Sequence, residues 1–300
     1  MGKKGKKAQA GKPRKITPKD IGKKLDALVK KLQEELEGAD LFAPLPPTED
    51  CPICLVPLPR VESRSLYKSC CGKTICMACV EESKAALKVT NEKNAAKSKP
   101  LVPNVCPFCR APNPSSYQEV MLRLEARKSL NDSDAVECLG HTFFYGTYGQ
   151  VEDKMKALDY FIQATELGSQ NSPADISAFY RKGTLISQEM EKAALFAKVA
   201  AIRGSIQGRH DAGAFEYNAG NHELGIRHWK IGAEGGSQIS LNSLRDIYNA
   251  DGKMPGKEFI SKDDLDNLYR DCHEVQMEIN SDERKKHWVH WGSKDDKFKC

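Results

Sequence analysis

Eight of the eleven cysteines in this 300-residue chain lie between residues 51 and 110, where they stand in four pairs. The pairs are Cys51 and Cys54, Cys70 and Cys71, Cys76 and Cys79, and Cys106 and Cys109. A Cys-x2-Cys turn can place two thiolates on one metal ion, and structural zinc takes four ligands in a tetrahedron. All seven histidines lie at residue 141 or beyond, so a zinc site in this stretch must use cysteine alone. The eight thiols therefore predict two closed sites and two Zn2+ ions per chain.

The stretches CPIC, CGKTIC and CPFCR around these pairs resemble a RING-type zinc finger, which would span residues 51–110. In that family the first and third ligand pairs bind one zinc ion, and the second and fourth pairs bind the other. The resemblance thus implies a cross-brace. Its first site would use Cys51, Cys54, Cys76 and Cys79, and its second site Cys70, Cys71, Cys106 and Cys109.

The adjacent pair of cysteines marks a departure from the family pattern. Most RING fingers carry a histidine near the position of Lys73, and lysine is a poor zinc ligand. Cys70 would supply the missing ligand and give an all-cysteine variant, or Cys71 would bind alone together with a water molecule. Neighbouring side chains of an extended chain point to opposite faces, so two ligands here require the backbone to turn, and Gly72 would ease that turn.

The RING resemblance implies an E3 ubiquitin ligase, which performs no covalent chemistry and has no catalytic residue of its own. Such a protein binds an E2 enzyme charged with ubiquitin and holds the thioester in a reactive position. The residues that match the E2 contacts of the family are Ile53, Pro107 and Arg110. The alternative explanation is packing inside the finger for Ile53 and Pro107, and a solvated charge for Arg110.

A different pattern begins near residue 117 and is predicted to continue to residue 300. Three predicted helices end in glycine, in steps of 36 and 32 residues, at Gly168, Gly204 and Gly236. Small or ring-bearing residues recur at the same distances before each glycine, namely Ala157, Ala193 and Gly225, then Tyr160, Phe196 and His228, then Ala164, Ala200 and Gly232. Each helix has a predicted partner upstream. Repeated helix pairs of this length predict an α-solenoid whose helices approach closely at the small residues.

The stretch CLGHTFFYGTYGQVEDKMKALDYFIQATELG resembles the Sel1-like branch of the tetratricopeptide superfamily. The resemblance covers roughly residues 134–236. The second repeat lacks the glycine-rich loop, and the third carries Leu224-Gly225 in place of Lys156-Ala157. The remaining residues resemble a degenerate helix pair that caps the array. Solenoids of this kind present an extended surface, so the resemblance implies a protein substrate or partner.

The N-terminal region is basic, since residues 1–31 carry twelve Lys or Arg against two Asp. We expect a disordered arm over residues 1–16, an amphipathic helix over 17–38 and a linker over 39–50. The helix would either pair with another helix or pack on its own domain. This positive charge is compatible with a nuclear import signal or with binding to RNA or to an acidic surface. The alternative is a solvated arm without a binding role. Residues 1–31 contain no aromatic residue to stack on bases, so nucleic-acid binding has only charge in its favour.

These patterns together predict a mostly α-helical protein: a basic arm, a small cross-brace zinc finger and an α-solenoid. The sequence contains no run of about 18 apolar residues that would cross a membrane and no apolar segment typical of a secretory signal. Clustered thiols without an export signal indicate metal ligands in a reducing compartment, so we expect an intracellular protein, cytoplasmic or nuclear. Two functions remain open: a RING-type ubiquitin ligase, or a non-enzymatic, zinc-stabilised adaptor for protein–protein interaction.

Overall fold

The computed structural model describes residues 16–60, 64–250 and 252–279, which form eleven α-helices and one two-stranded sheet. The helices are α1 Pro18–Glu37, α2 Met77–Ala96, α3 Tyr117–Lys128, α4 Ser133–Tyr145, α5 Lys154–Glu166, α6 Ser172–Lys182, α7 Met190–Ile202, α8 Ile206–Asn218, α9 His222–Glu234, α10 Gln238–Asn249 and α11 Lys262–Ile279. The strands are β1 Ser65–Lys68 and β2 Lys73–Cys76. The mostly helical fold class is confirmed. Residues 1–15 of the predicted arm and residues 280–300 of the predicted cap lie outside the described residues.

Helices α3 to α11 form the solenoid, and each helix packs against the next one along the chain. The three predicted repeats are the pairs α4–α5, α6–α7 and α8–α9. The second helix of each pair ends at a left-handed glycine, with φ of +93° at Gly168, +101° at Gly204 and +89° at Gly236. After each glycine a serine N–H bonds back to the carbonyl of Ala164, Ala200 or Gly232, at 2.9–3.0 Å. This repeated closing turn satisfies carbonyls that the helix end would leave unpaired.

The nine small or ring-bearing positions of the predicted repeat are all buried. At the contact between α7 and α8, a Cβ placed on Gly208 would lie only 2.3 Å from the Cβ of Ala200. Helices can approach this closely only where neither backbone carries a large side chain. The repeat register read from the sequence therefore matches the packing.

Helix α1 packs on the solenoid of its own chain, against α5 and α7. Its start is a capping box between Thr17 and Asp20, and its buried face consists of Ile21, Leu25, Leu28 and Leu32, each at most 2% exposed. Near its end, Glu35 accepts two hydrogen bonds from Arg203, at 2.9 and 2.8 Å. Of the two partners left open by the sequence, the helix takes the intrachain one.

Residues 39–50 connect α1 to the first cysteine, as expected of a linker, but several of them are half-buried against the solenoid. Asp40 opens the segment with a turn, in which its carboxylate accepts a hydrogen bond from the Phe42 N–H at 2.9 Å. The proline-rich composition predicts a segment without helix or strand, and the structure agrees. Composition says nothing about the surface on which such a segment lies.

Within the described ranges, each helix is too short or too polar to span a bilayer.

Candidate metal centres

The adjacent cysteines Cys70 and Cys71 lie in the turn of the β1–β2 hairpin. The hairpin is antiparallel, with Ser65 opposite Cys76 and Lys68 opposite Lys73. The N–H groups of Cys71 and Gly72 both bond to the carbonyl of Lys68, at 3.1 and 2.8 Å, and Gly72 has φ of +66°. The backbone thus reverses at this point, as the sequence predicts for two neighbouring ligands, and both thiols reach the same side of the turn.

The first and last pairs occupy two loops with the same conformation. Their sequences are CPICLVP and CPFCRAP. In each loop the N–H of the first cysteine bonds to the carbonyl five residues on, at 2.9 Å for Cys51 and 2.8 Å for Cys106. The residue after the second cysteine has a positive φ, +58° at Leu55 and +63° at Arg110. The spacing of the cysteines alone does not indicate this equivalence, but the repeated CPxCxxP pattern does.

The third pair is formed where the sheet passes into a helix. Cys76 is the last residue of β2 and precedes α2, and Cys79 lies in the first turn of that helix. The N–H of Cys76 points at the sulfur of Cys51, 3.5 Å away. A strand, a helix and a loop therefore converge on one cluster of thiols.

The eight sulfur atoms form two groups of four, and within each group all sulfurs lie within 4.8 Å of one another. One group holds Cys51, Cys54, Cys76 and Cys79, and the other holds Cys70, Cys71, Cys106 and Cys109. The grouping is the cross-brace that the RING resemblance implies, and both adjacent cysteines belong to the same group.

The distances between sulfurs fit a tetrahedral zinc ion. Four ligands about 2.3 Å from zinc stand roughly 3.8 Å apart at the corners of a tetrahedron. The sulfurs of Cys54 and Cys76 are 3.9 Å apart, those of Cys70 and Cys71 4.0 Å, and those of Cys70 and Cys109 3.5 Å. Each group therefore has the dimensions and the ligand chemistry for one Zn2+ ion.

The thiols of one group differ in how easily they ionise. Burial raises the pKa of Cys76 to about 11, and burial with the neighbouring thiols raises the pKa of Cys79 well above its ordinary value. At Cys51 burial also acts upward, but backbone hydrogen bonds outweigh it and lower the pKa to about 7. Four adjacent thiolates need a cation to offset their charge, which a bound metal would supply.

The three residues matched to an E2 surface lie outside both thiol groups. Ile53 is 38% exposed, Arg110 is exposed, and Pro107 is half-buried. Pro107 and Arg110 line a cleft of about 340 Å³ beside α2, together with Leu87 and Val102. Ile53 is not among the residues that line this cleft. The structure thus brings two of the three residues to one cleft.

One carboxylate joins the cysteine-rich module to the first helices of the solenoid. Asp132, which caps α4, accepts hydrogen bonds from the Tyr67 hydroxyl and from Arg127 Nε, each at 2.8 Å. The positive φ of Gly72 favours glycine, and a Cβ there would lie 1.7 Å from the Arg127 guanidinium, so a larger residue would also displace that side chain from its position. Nothing in the spacing of these residues indicates this contact.

No protein-family model and no curated protein sequence matches the chain. Similar solved structures include a Sel1 repeat protein from Oxalobacter formigenes, with 22% identity over 52% of this chain and a TM-score of 0.45. Another is c5321, a protective antigen of uropathogenic Escherichia coli with an SLR fold, with 13% identity over 73% of this chain and a TM-score of 0.41. The chain spans 64% and 50% of the lengths of these two structures. Since both TM-scores are below 0.5, the α-solenoid assignment rests on the repeated helix pairs of this chain.

Proposed function

We propose that this protein is a RING-type, zinc-binding E3 ubiquitin ligase. Its cysteine-rich module would recruit an E2 enzyme, and its solenoid would bind a protein substrate or partner. The observation that carries the proposal is the division of eight thiols into two groups of tetrahedral dimensions in a cross-brace order.

Two Zn2+ ions would hold the module together. The buried apolar cluster of the module is small and contains Ile75, Ala78 and Val80 beside three of the cysteines. A core of this size cannot stabilise three loops by itself, so metal binding and folding are coupled in such modules. Bound zinc supplies the cross-links, and the cysteine side chains orient the two CPxCxxP loops.

Arg110 is suited to the role of the positive group that restrains ubiquitin on the E2. Its N–H bonds to the carbonyl of Cys106 at 3.0 Å, while its side chain remains exposed. The guanidinium therefore extends from a backbone that the second thiol group holds in place. Ile53 occupies the equivalent loop of the first group and offers an exposed apolar side chain for the E2.

The experiment is ubiquitin discharge and chain formation with a broad panel of E2 enzymes. A buried apolar contact is worth about 1.5–3 kcal/mol, so Ile53→Ala should weaken E2 binding roughly ten- to hundredfold. Arg110→Ala should reduce discharge more than E2 binding, because it acts on the charged conjugate. Leu122→Ala, which truncates a 70% exposed leucine on α3, is the matched control and should change neither.

All three variants should retain two zinc ions per chain by metal analysis. If the wild-type protein binds two zinc ions but discharges ubiquitin from no E2, the non-enzymatic adaptor is the function that remains. If chains form and neither Ile53→Ala nor Arg110→Ala reduces them, the protein is a ligase with a different E2 surface. Freshly purified protein with one zinc ion or none would contradict the RING assignment itself.

A further inference from the structure

A peptide already lies on the solenoid, and it belongs to the chain itself. Residues 40–46, here called the docked segment, run across α7, α8 and α9 between the end of α1 and the cysteine-rich module. We call the surface beneath it the Arg209 groove; it consists of Gly204, Arg209, Arg227, His228 and Gly235. Three features of this groove recognise the docked segment.

The first feature is a buried cation that binds main-chain carbonyls. Arg209 is 1% exposed and donates hydrogen bonds to the carbonyl oxygens of Leu41 and Ala43 of the docked segment, and to Ala201 of α7. Burial lowers the pKa of Arg209, and the Asp40 carboxylate of the docked segment acts in the opposite direction. A buried charge is costly without hydrogen-bond partners, and the docked segment supplies two of these three carbonyls.

The second feature is a site for an aromatic side chain. The Phe42 ring centre lies 4.8 Å from that of His228 and 4.1 Å from the Arg227 guanidinium. Burial and the neighbouring Arg209 lower the pKa of His228 to about 4, so the imidazole that Phe42 contacts is neutral at physiological pH. The groove thus offers the face of one neutral ring and one cation–π contact.

The third feature is a depression in the groove surface at two glycines, which have no side chain to fill it. A Cβ on Gly235 would lie 2.2 Å from Leu45 Cδ1. Gly235 has φ of −79°, which any residue adopts, so its backbone does not require glycine. A side chain at this position would therefore have to displace Leu45. Pro46 packs in the same way on Gly204, where a Cβ would lie 2.8 Å from Pro46 Cγ.

The docked segment is attached differently from α1. The leucines of α1 belong to the buried core of the solenoid, whereas no residue of the docked segment joins any buried cluster of the described residues. Its residues are half-buried or exposed. Elements held by few buried contacts open locally at low free-energy cost. The segment can therefore leave the groove while α1 remains in place.

We propose that the Arg209 groove is a peptide-binding site, and that the docked segment is its intrachain occupant. Its ligands are short, turn-forming, proline-containing peptides that carry an aromatic residue and, three positions later, an aliphatic one, as in DLFAPLP. A partner protein with such a segment binds by displacing residues 40–46. This inference rests on the partner-binding part of the proposed function, but it requires neither zinc nor ubiquitin transfer.

The test uses the full chain and a fluorescein-labelled peptide with the sequence of residues 39–48, ADLFAPLPPT. In the wild type the intrachain segment competes at an effective concentration in the millimolar range, so the labelled peptide binds weakly. Phe42→Ala in the chain removes the ring from the competitor, and the peptide should then bind about tenfold more tightly by fluorescence anisotropy. Phe259→Ala, which truncates another partly exposed ring outside the groove, should leave binding at the wild-type level.

A second substitution tests the location of binding. Adding Gly235→Ala to the Phe42→Ala chain fills the depression beneath Leu45 and should abolish the gain, with an unchanged circular dichroism spectrum. A labelled peptide with alanine at the Phe42 position should bind none of the chains. Equal binding by wild type and Phe42→Ala, or full binding after Gly235→Ala, would overturn the proposal. Zinc content and ubiquitin discharge are measured separately, so the groove and the ligase activity can fail independently.

Discussion

Gly208→Ala should destabilise the protein although alanine is the better helix former. Gly208 lies in α8, where a Cβ would be 2.3 Å from Ala200 Cβ and 2.9 Å from the backbone at Ala200 and Ala201. Carbon atoms in contact are about 3.5–4.0 Å apart, so α7 and α8 would have to separate by more than about 1 Å. Overpacking of this kind costs about 1–3 kcal/mol, and the gain in helix propensity recovers only about 0.5–1 kcal/mol. The difference is a net loss of up to about 2.5 kcal/mol, with a central value of about 1 kcal/mol.

The matched control is Gly22→Ala in α1, since a Cβ at that glycine meets no atom within 4 Å. There the propensity gain acts alone, and stability should rise by about 0.5–1 kcal/mol. The assay is thermal unfolding of the zinc-loaded chain, followed by circular dichroism. At about 2–4 °C per kcal/mol for a chain of this size, the two midpoints should move in opposite directions. A midpoint for Gly208→Ala at or above that of the wild type would refute the close contact between α7 and α8.

Three further predictions concern the thiols, a buried histidine and α1. Cys70→Ser should lower zinc from two ions per chain toward one under chelator competition, whereas Cys138→Ser, in the solenoid core, should keep both. His228 has a folded-state pKa of about 4, below its ordinary value of about 6.5. As pH falls from 6.5 to 4, His228 therefore takes up a proton in the unfolded chain but not in the folded one, and the free energy of unfolding decreases by about 3 kcal/mol. His228→Gln should remove this part of the decrease. The measurement is urea unfolding at several pH values. Leu28→Ala, in the buried face of α1, should cost about 2–5 kcal/mol in urea unfolding at pH 7.

The contact between the cysteine-rich module and the solenoid shows how the two parts influence each other. Asp132 caps α4 and accepts hydrogen bonds from both Tyr67 and Arg127. The carboxylate therefore stabilises a helix start and attaches the β1–β2 hairpin at the same time. Under the proposed function, this contact attaches the module that would recruit an E2 to the solenoid that would bind a partner.

Local sequence was sufficient for the features that depend on neighbouring residues. The Cys-x2-Cys spacing and Gly72 indicate turns, because ligand geometry and a positive φ act within a few residues. The glycines that end α5, α7 and α9 are predictable for the same reason, since a left-handed helix end favours a residue without Cβ. The small residues of the repeat were also predictable, because helical periodicity places them on one face.

The surface against which each element packs depends on contacts between residues far apart in the chain. Only the tertiary structure determines these packing partners. The periodicity of α1 requires a covered apolar face but does not say whether its own solenoid or another chain covers it. Residues 39–50 have the composition of a linker, and composition contains no information about Arg209, which lies about 170 residues away and needs carbonyl partners. The spacing of residues in the sequence determines local backbone conformation. Whether a charge or an apolar side chain is buried depends on which residues from distant parts of the chain pack against it.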